Sequence, residues 1–258
     1  MANPIDIYDY MLWGDYNKRI SDLADFCINE TWSFSTKNDK SILKNYLKYT
    51  FSKLQEENKV LESDDFCVFN TGLFTPYYEA VFVQGEKNTT TELVKWKFKT
   101  FCTKYELGYI GICDDCPERA DYFTNPSLLV FDWRCPVNIN YKHILEDEEN
   151  KKRLPSYVLD SDRPEWELEG SVRNAIKRVT ANYKLAVPQY FNGKIQLLLP
   201  LCFGKTQEPH LALALTKMEN NTIGYYLGHT CLTMDMAYNN ARLISKPESN
   251  WLLPQDID

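Results

Sequence analysis

The sequence is poor in the signatures that usually announce a reaction. It has no Walker loop and no Gly-x-Gly-x-x-Gly, so the commonest phosphate cradles and dinucleotide folds are not indicated. No Gly-x-Ser-x-Gly elbow and no His-Glu-x-x-His helix occurs, which removes the familiar hydrolase and metalloprotease routes. Histidine is scarce: only His143, His210 and His229 are present in 258 residues. Ten glycines and twelve prolines exclude collagen-like and linker-dominated chains. No apolar run approaches the ~20 residues needed to span a bilayer. Positive charge is also in deficit, with 29 Lys and Arg against 36 Asp and Glu and a net charge of −7. A protein that coats duplex nucleic acid needs a broad cationic surface to displace counterions, so general duplex DNA binding is not expected.

What is present reads as an ordinary globular chain, 44% apolar and 25% charged. Its opening residues are acidic where a leader would be basic, which predicts a soluble, cytoplasmic protein with no membrane partner. Eight scattered cysteines are then read as reduced thiols, those at 67, 102, 202 and 231 sitting inside strand-like apolar runs as small hydrophobes. Cys113 and Cys116 have the spacing of half a zinc site, with Cys135 and His143 downstream. The second close pair is missing, so a loop with two free thiols is the favoured reading and no metal ligand is assigned.

Periodicity sets the organisation. Ile20, Leu23, Ala24 and Cys27 recur at helical spacing, and a second helix from Asp39 carries Leu43, Leu47, Phe51 and Leu54. Lys40, Lys44 and Lys48 line its outer face as a solvated column. Residues 66–70, 77–83 and 94–99 read as strands, with a turn or bulge at Gly72 and an antiparallel hairpin joining the last two. From 113 to 162 prolines break the pattern, and Glu146 to Glu149 runs straight into Lys151, Lys152 and Arg153. A long helix then spans 165–186, two buried strands at 194–199 and 211–215 and a third strand at 224–232 follow, and a helix capped by Thr233 buries Met234, Ala237, Ala241 and Ile244. The expected fold class is α+β, an antiparallel-rich sheet packed by helices, with a long basic-faced helix and a C-terminal β-β-α unit. No repeat or low-complexity tract marks a boundary. One domain over 1–258 is expected, with a helical segment 1–60 and a sheet-rich core 65–258.

Three constellations carry candidate chemistry. On the long helix Arg173, Lys177, Thr180 and Lys184 share one stripe, an anion-binding wall or a solvated face. On the closing helix Asp235, Asn239 and Arg242 align, flanked by Tyr238 and Asn240. Two successive Asn residues in a short helix cost stability unless they make specific bonds. Glu79 stands alone on an apolar strand, where an acid is either paired, for example with Lys97, or perturbed. His229 with Thr230 resembles one arm of a two-histidine phosphoesterase, but the second arm at His210 has Ala212 where a hydroxyl belongs.

Several segments form a recognisable set: Phe69-Asn-Thr-Gly-Leu73, the run from Asn182 to Tyr190, Ile195 to Leu201, and above all Thr230 to Ile244. Leu23-Ala24, Glu30-x-Trp32 and Trp251-Leu252 fit the same pattern. Together they resemble the bacterial domain of unknown function 3825 family, whose members are often joined to cold-shock or LOTUS-type modules that bind RNA. The resemblance implies an RNA-linked role, and this chain carries no such module itself.

The leading expectation is an RNA-associated or nucleotide-binding module. Arg173, Lys177 and Lys184 would meet phosphates, Asn239, Asn240 and Arg242 would direct hydrogen bonds, and Tyr183, Tyr190 or Tyr238 would stack on a base, in a pocket between the long and closing helices. The alternative is a metal-dependent phosphodiesterase or other nucleotide-processing enzyme using Glu79 and Asp235, with Mg²⁺ as the cofactor it would require. A third reading, a phage–host conflict protein that sequesters a signalling nucleotide or a protein partner, has no residue specific to it.

Overall fold

The computed structural model describes residues 4–34, 39–90, 93–112, 115–204, 208–219, 223–248 and 251–256. The architecture is α+β, and the chain gathers into two compact units, Met1–Asp121 and Tyr122–Asp258. Their division falls within the proline-punctuated stretch that the sequence pattern presents as a surface excursion of one domain.

The first unit opens with α1 (Ile7–Tyr10), β1 (Met11–Leu12), α2 (Tyr16–Phe26) and α3 (Ser41–Glu56). Asp15 caps α2 by accepting the Lys18 N–H at 3.0 Å, and Ile20 and Leu23 point inward. Asp39 accepts the Ser41 N–H at 3.0 Å as the chain enters α3, whose Leu43, Leu47, Phe51 and Leu54 are fully buried. From the lysine column, Lys48 reaches Asp6 at 2.7 Å. The sheet follows as β2 (Leu61–Glu62), β3 (Phe66–Phe74), β4 (Ala80–Lys87) and β5 (Trp96–Cys102), closed by α4 (Lys104–Gly108). In β5 the buried Trp96 and Phe98 alternate with exposed Lys97 and Lys99, as expected of a half-buried strand. Gly72 sits at φ +74° within the irregular pairing of β3, and a Cβ there would lie 2.6 Å from the Tyr46 hydroxyl.

The second unit runs through β6 (Val137–Ile139), α5 (Tyr141–Glu146), α6 (Glu148–Lys151), α7 (Ser156–Leu159) and α8 (Pro164–Ala181). Then come β7 (Val187–Phe191), β8 (Lys194–Leu201), β9 (Leu211–Met218), β10 (Tyr225–Leu232) and α9 (Met234–Ile244). The long helix stops at Ala181, short of the predicted 186. Asn182 leaves the helical region and its side chain accepts the Lys184 N–H, turning residues 183–185 into a 3-10 turn. Alternate residues of the sheet, Leu197, Leu199 and Leu201 with Leu211, Leu213 and Leu215, form one core with Leu168, Val172, Ala175 and Val179 of α8.

The two units repeat one topology. Their strand orders are β1-β5-β4-β3-β2 and β6-β10-β9-β8-β7, each a four-strand antiparallel meander with a short first strand laid parallel beside its last. The register repeats as well. Met11 faces Trp96 and Val137 faces Tyr226. Three residues further on, the last strand carries one extra residue, Lys99 in β5 and His229 in β10, where the pairing with the neighbouring strand steps by one. Four residues beyond that, Thr103 and Thr233 are the N-caps of α4 and α9.

Candidate functional site

α8 and α9 lie on opposite faces of the second sheet, so the expected pocket between them does not form along their lengths. α8 covers the Leu197 face. α9 covers the other, where the Asn240 amide donates to the Gln189 side chain at 3.2 Å and Gln189 donates to its cross-strand partner Gln196 at 2.7 Å. The segment that follows α8, through the 3-10 turn into the edge strand β7, runs beside the end of α9. There an open groove of about 670 Å³ is lined by Asn182, Tyr183, Lys184, Val187, Ala241 and Lys246, among others. That volume lies within the range of small-ligand sites.

The predicted residues are distributed unevenly around this groove. Lys184 lines it, and Tyr183 is 56% exposed beside it. Lys177 is exposed on α8, while Arg173 is ion-paired with Glu169 one turn back. On α9, Tyr238 is fully buried and Arg242 is 8% exposed, so neither presents its side chain broadly to solvent. Asn240 is tied to Gln189. Asn239 is half-buried, and its Oδ1 has no hydrogen-bond partner among the described residues. Asp235 accepts the Thr233 hydroxyl in the first turn of α9, the position the helix dipole favours for a carboxylate.

Glu79 belongs to the first unit, and its environment differs from the expectation. The strand begins at Ala80, and Tyr77, Tyr78 and Glu79 form an exposed turn. Thr75 Oγ1 accepts the N–H of both Tyr77 and Glu79, and Tyr78 takes φ +62°, which reverses the chain before β4. Lys97, its suggested partner, instead lies 3.9 Å from Glu86.

Cys113 lies outside the described residues. Cys135 Sγ donates to the Ile223 carbonyl at 3.1 Å, and among the described residues no group of three or more His, Cys, Asp or Glu side chains is arranged to hold a metal. His210 is not a partner of His229. It lies between Tyr157, 3.3 Å from its Nε2, and the Phe203 N–H, which donates to its Nδ1 at 3.3 Å.

The model for a domain of unknown function, DUF3825, matches residues 23–251. The chain belongs to this family. No curated protein and no solved structure matches it. The DUF3825 match spans both structural units and includes every groove residue, Lys246 and Glu248 among them. Sequence reasoning passes over these last two because they follow the closing helix, where Pro247 signals only a helix stop.

Proposed function

We propose that this DUF3825 protein binds a phosphorylated nucleoside, as a residue of single-stranded RNA or as a free nucleotide, in the groove beside β7. The observation that carries the reading is the convergence of Lys184, Lys246 and the exposed Tyr183 ring on one open groove with an apolar wall at Val187 and Ala241. Neither lysine is ion-paired among the described residues, so both ammonium groups are available to phosphate. Tyr183 supplies a stacking face, and base stacking on an aromatic side chain contributes about 1–3 kcal/mol. The rim also carries Glu248 and the Asn182 amide, which accept and donate hydrogen bonds of the kind a base edge offers. In a chain of net charge −7, a local pair of lysines selects a short anionic segment over a long duplex.

Fluorescence polarisation with a labelled eight-nucleotide RNA, competed by mononucleotides, tests this and separates the two sources. Binding in the micromolar range or tighter is expected. Lys184→Ala with Lys246→Ala should flatten the plot of log affinity against log salt by about 1.4, near 0.7 for each single-strand phosphate that no longer meets a lysine. Tyr183→Ala should weaken binding about tenfold. Unchanged affinity and salt slope in the double variant would sink the proposal.

A further inference from the structure

Two of the three histidines meet in space although 86 residues of sequence separate them. The rings of His143 and His229 lie 5.9 Å apart, centroid to centroid, at 48° to each other, and both residues are exposed. His143 is in the first turn of α5, where its N–H is held by the Asn140 side chain at 3.0 Å. His229 is the extra residue of the β10 bulge, between the pairs Gly228–Leu215 and Thr230–Ala214.

The bulge is held from α6 and the residues just after it. Asn150, only 3% exposed, donates from its amide to the His229 carbonyl at 3.2 Å and accepts the Cys231 N–H at 3.0 Å. Arg153 donates to the Cys231 carbonyl at 2.8 Å. Three backbone groups of β10 past its last pair with β6, the His229 carbonyl and the Cys231 N–H and carbonyl, are thereby satisfied, and the backbone carrying His229 is fixed. Asp147, whose carboxylate accepts the Asn150 N–H at 2.9 Å, lies within electrostatic reach of both His143 and Arg153. The topologically equivalent bulge of the first unit carries Lys99. The bulge therefore comes with the fold, and the second histidine facing it belongs to the second unit alone.

Paired imidazoles of this kind suit proton transfer. Imidazole is the side chain that exchanges a proton near neutrality in its ordinary state, so one ring can accept while its neighbour donates. We propose that His143 and His229 are an acid–base couple that cleaves RNA by transesterification, with Arg153 facing the phosphate. One neutral imidazole takes the proton of the ribose 2′-hydroxyl as O2′ bonds to phosphorus. The bond from phosphorus to the 5′-oxygen breaks, and the other ring, as imidazolium, gives its proton to that oxygen. The products are a 2′,3′-cyclic phosphate and a free 5′-hydroxyl, and proton exchange with water resets the pair. RNA supplies its own nucleophile, so no co-reactant enters. Arg153 uses one N–H on Cys231, and its remaining donors suit the charge that builds on the phosphoryl oxygens.

The substrate class rests on the RNA reading above, and the experiment separates the two. The full chain is incubated in EDTA with a 5′-labelled single-stranded RNA, and binding of the all-2′-deoxy oligonucleotide of the same sequence is measured in parallel. Cleavage to 2′,3′-cyclic ends is expected. His143→Ala and His229→Ala should each slow it at least a hundredfold while leaving binding of the deoxy oligonucleotide unchanged. Because both rings are exposed, both variants should fold, and circular dichroism checks that they do. RNA that is bound but left intact overturns the catalytic pair and leaves the groove reading standing. RNA neither bound nor cut overturns both. Cleavage that persists equally in both variants also overturns the pair.

Discussion

The side-chain oxygen of Asn150 accepts the backbone N–H of Cys231 at 3.0 Å, across 81 residues of sequence. The same amide group donates to the His229 carbonyl, so one buried side chain satisfies the bulge residue and the N–H two residues beyond it. Asn150→Ala removes both bonds and leaves the N–H of the fully buried Cys231 without its partner. An orphaned buried donor costs about 1–3 kcal/mol, and urea denaturation should show a loss in that range. Equal stability of Asn150→Ala and the parent chain would show that the clamp contributes nothing to folding.

The parts of this fold that are legible in sequence are those with a one-dimensional signal. α3 announces itself through Leu43, Leu47, Phe51 and Leu54, all buried, and β5 through Trp96 and Phe98 alternating with lysines. The turn at Tyr77 to Glu79 is not legible, because two tyrosines adjoining Ala80–Val83 extend an apolar run. The Thr75 hydroxyl and two backbone bonds, Tyr78 N–H to the Thr75 carbonyl and Thr75 N–H to the Glu79 carbonyl, turn the chain there, and none of them leaves a periodic signal. Likewise β6 is three residues long and pairs in parallel with a strand nearly ninety positions away, so no periodicity can reveal it.

The repeat of the two units is carried by backbone register, and side-chain identity does not report it. Between the bulge residues and the helix caps, only Thr100 and Thr230, and Thr103 and Thr233, coincide. The candidate site is legible only in part for a related reason. Stripes on α8 and α9 are readable as exposed or buried faces, but a stripe does not say which side of a sheet its helix will cover. His143 and His229 have no spacing that links them, since a bulge and a separate helix bring them together.

Acid should weaken the region around Asp132 through a single ion pair. Arg134 clasps Asp132 through two side-chain N–H groups, each at 2.8 Å, and holds its carboxyl well down, at about 2. A folded-state pKa below the unfolded value means the pair stabilises fully above about pH 4 and loses its effect as pH falls through about 2. Arg134 is largely exposed and solvent screens the pair, so the effect is small. The stability difference between the parent and Asp132→Asn should hold constant from pH 7 to 5 and shrink between pH 4 and 2. A difference that stays constant down to pH 2 would contradict the assignment.

Thiol reactivity should follow burial. Cys67, Cys102 and Cys231 are buried, and burial pushes each thiol up to about 12, leaving almost no thiolate at pH 8. Cys116 and Cys202 are half-buried. Brief alkylation of the native protein, read by peptide mass spectrometry, should label Cys116 and Cys202 well before the other three. Early labelling of Cys231 would mean that β10 opens locally and that the bulge clamp is loose.

The closing helix separates packing from polar chemistry within one turn and a half. Ala241 is 1% exposed, packs beside Ala237 toward the sheet, and also forms part of the groove wall. Added bulk there presses on the sheet on one side and extends into the groove on the other, so Ala241→Leu should cost about 1–3 kcal/mol by overpacking and should also weaken RNA binding by narrowing the groove. Asn239, two residues earlier, is outside the groove, and its buried Oδ1 accepts no hydrogen bond from the described residues. Asn239→Ala therefore gives up no such bond and should change stability by less than about 1 kcal/mol, with affinity unaltered. The two variants are compared by urea denaturation and by polarisation with the same labelled RNA. If Asn239→Ala destabilises as much as Ala241→Leu, the Asn239 side chain is part of a structural network. If instead it abolishes binding at unchanged stability, the ligand contacts the outer face of α9, and the groove beside β7 is not where it sits.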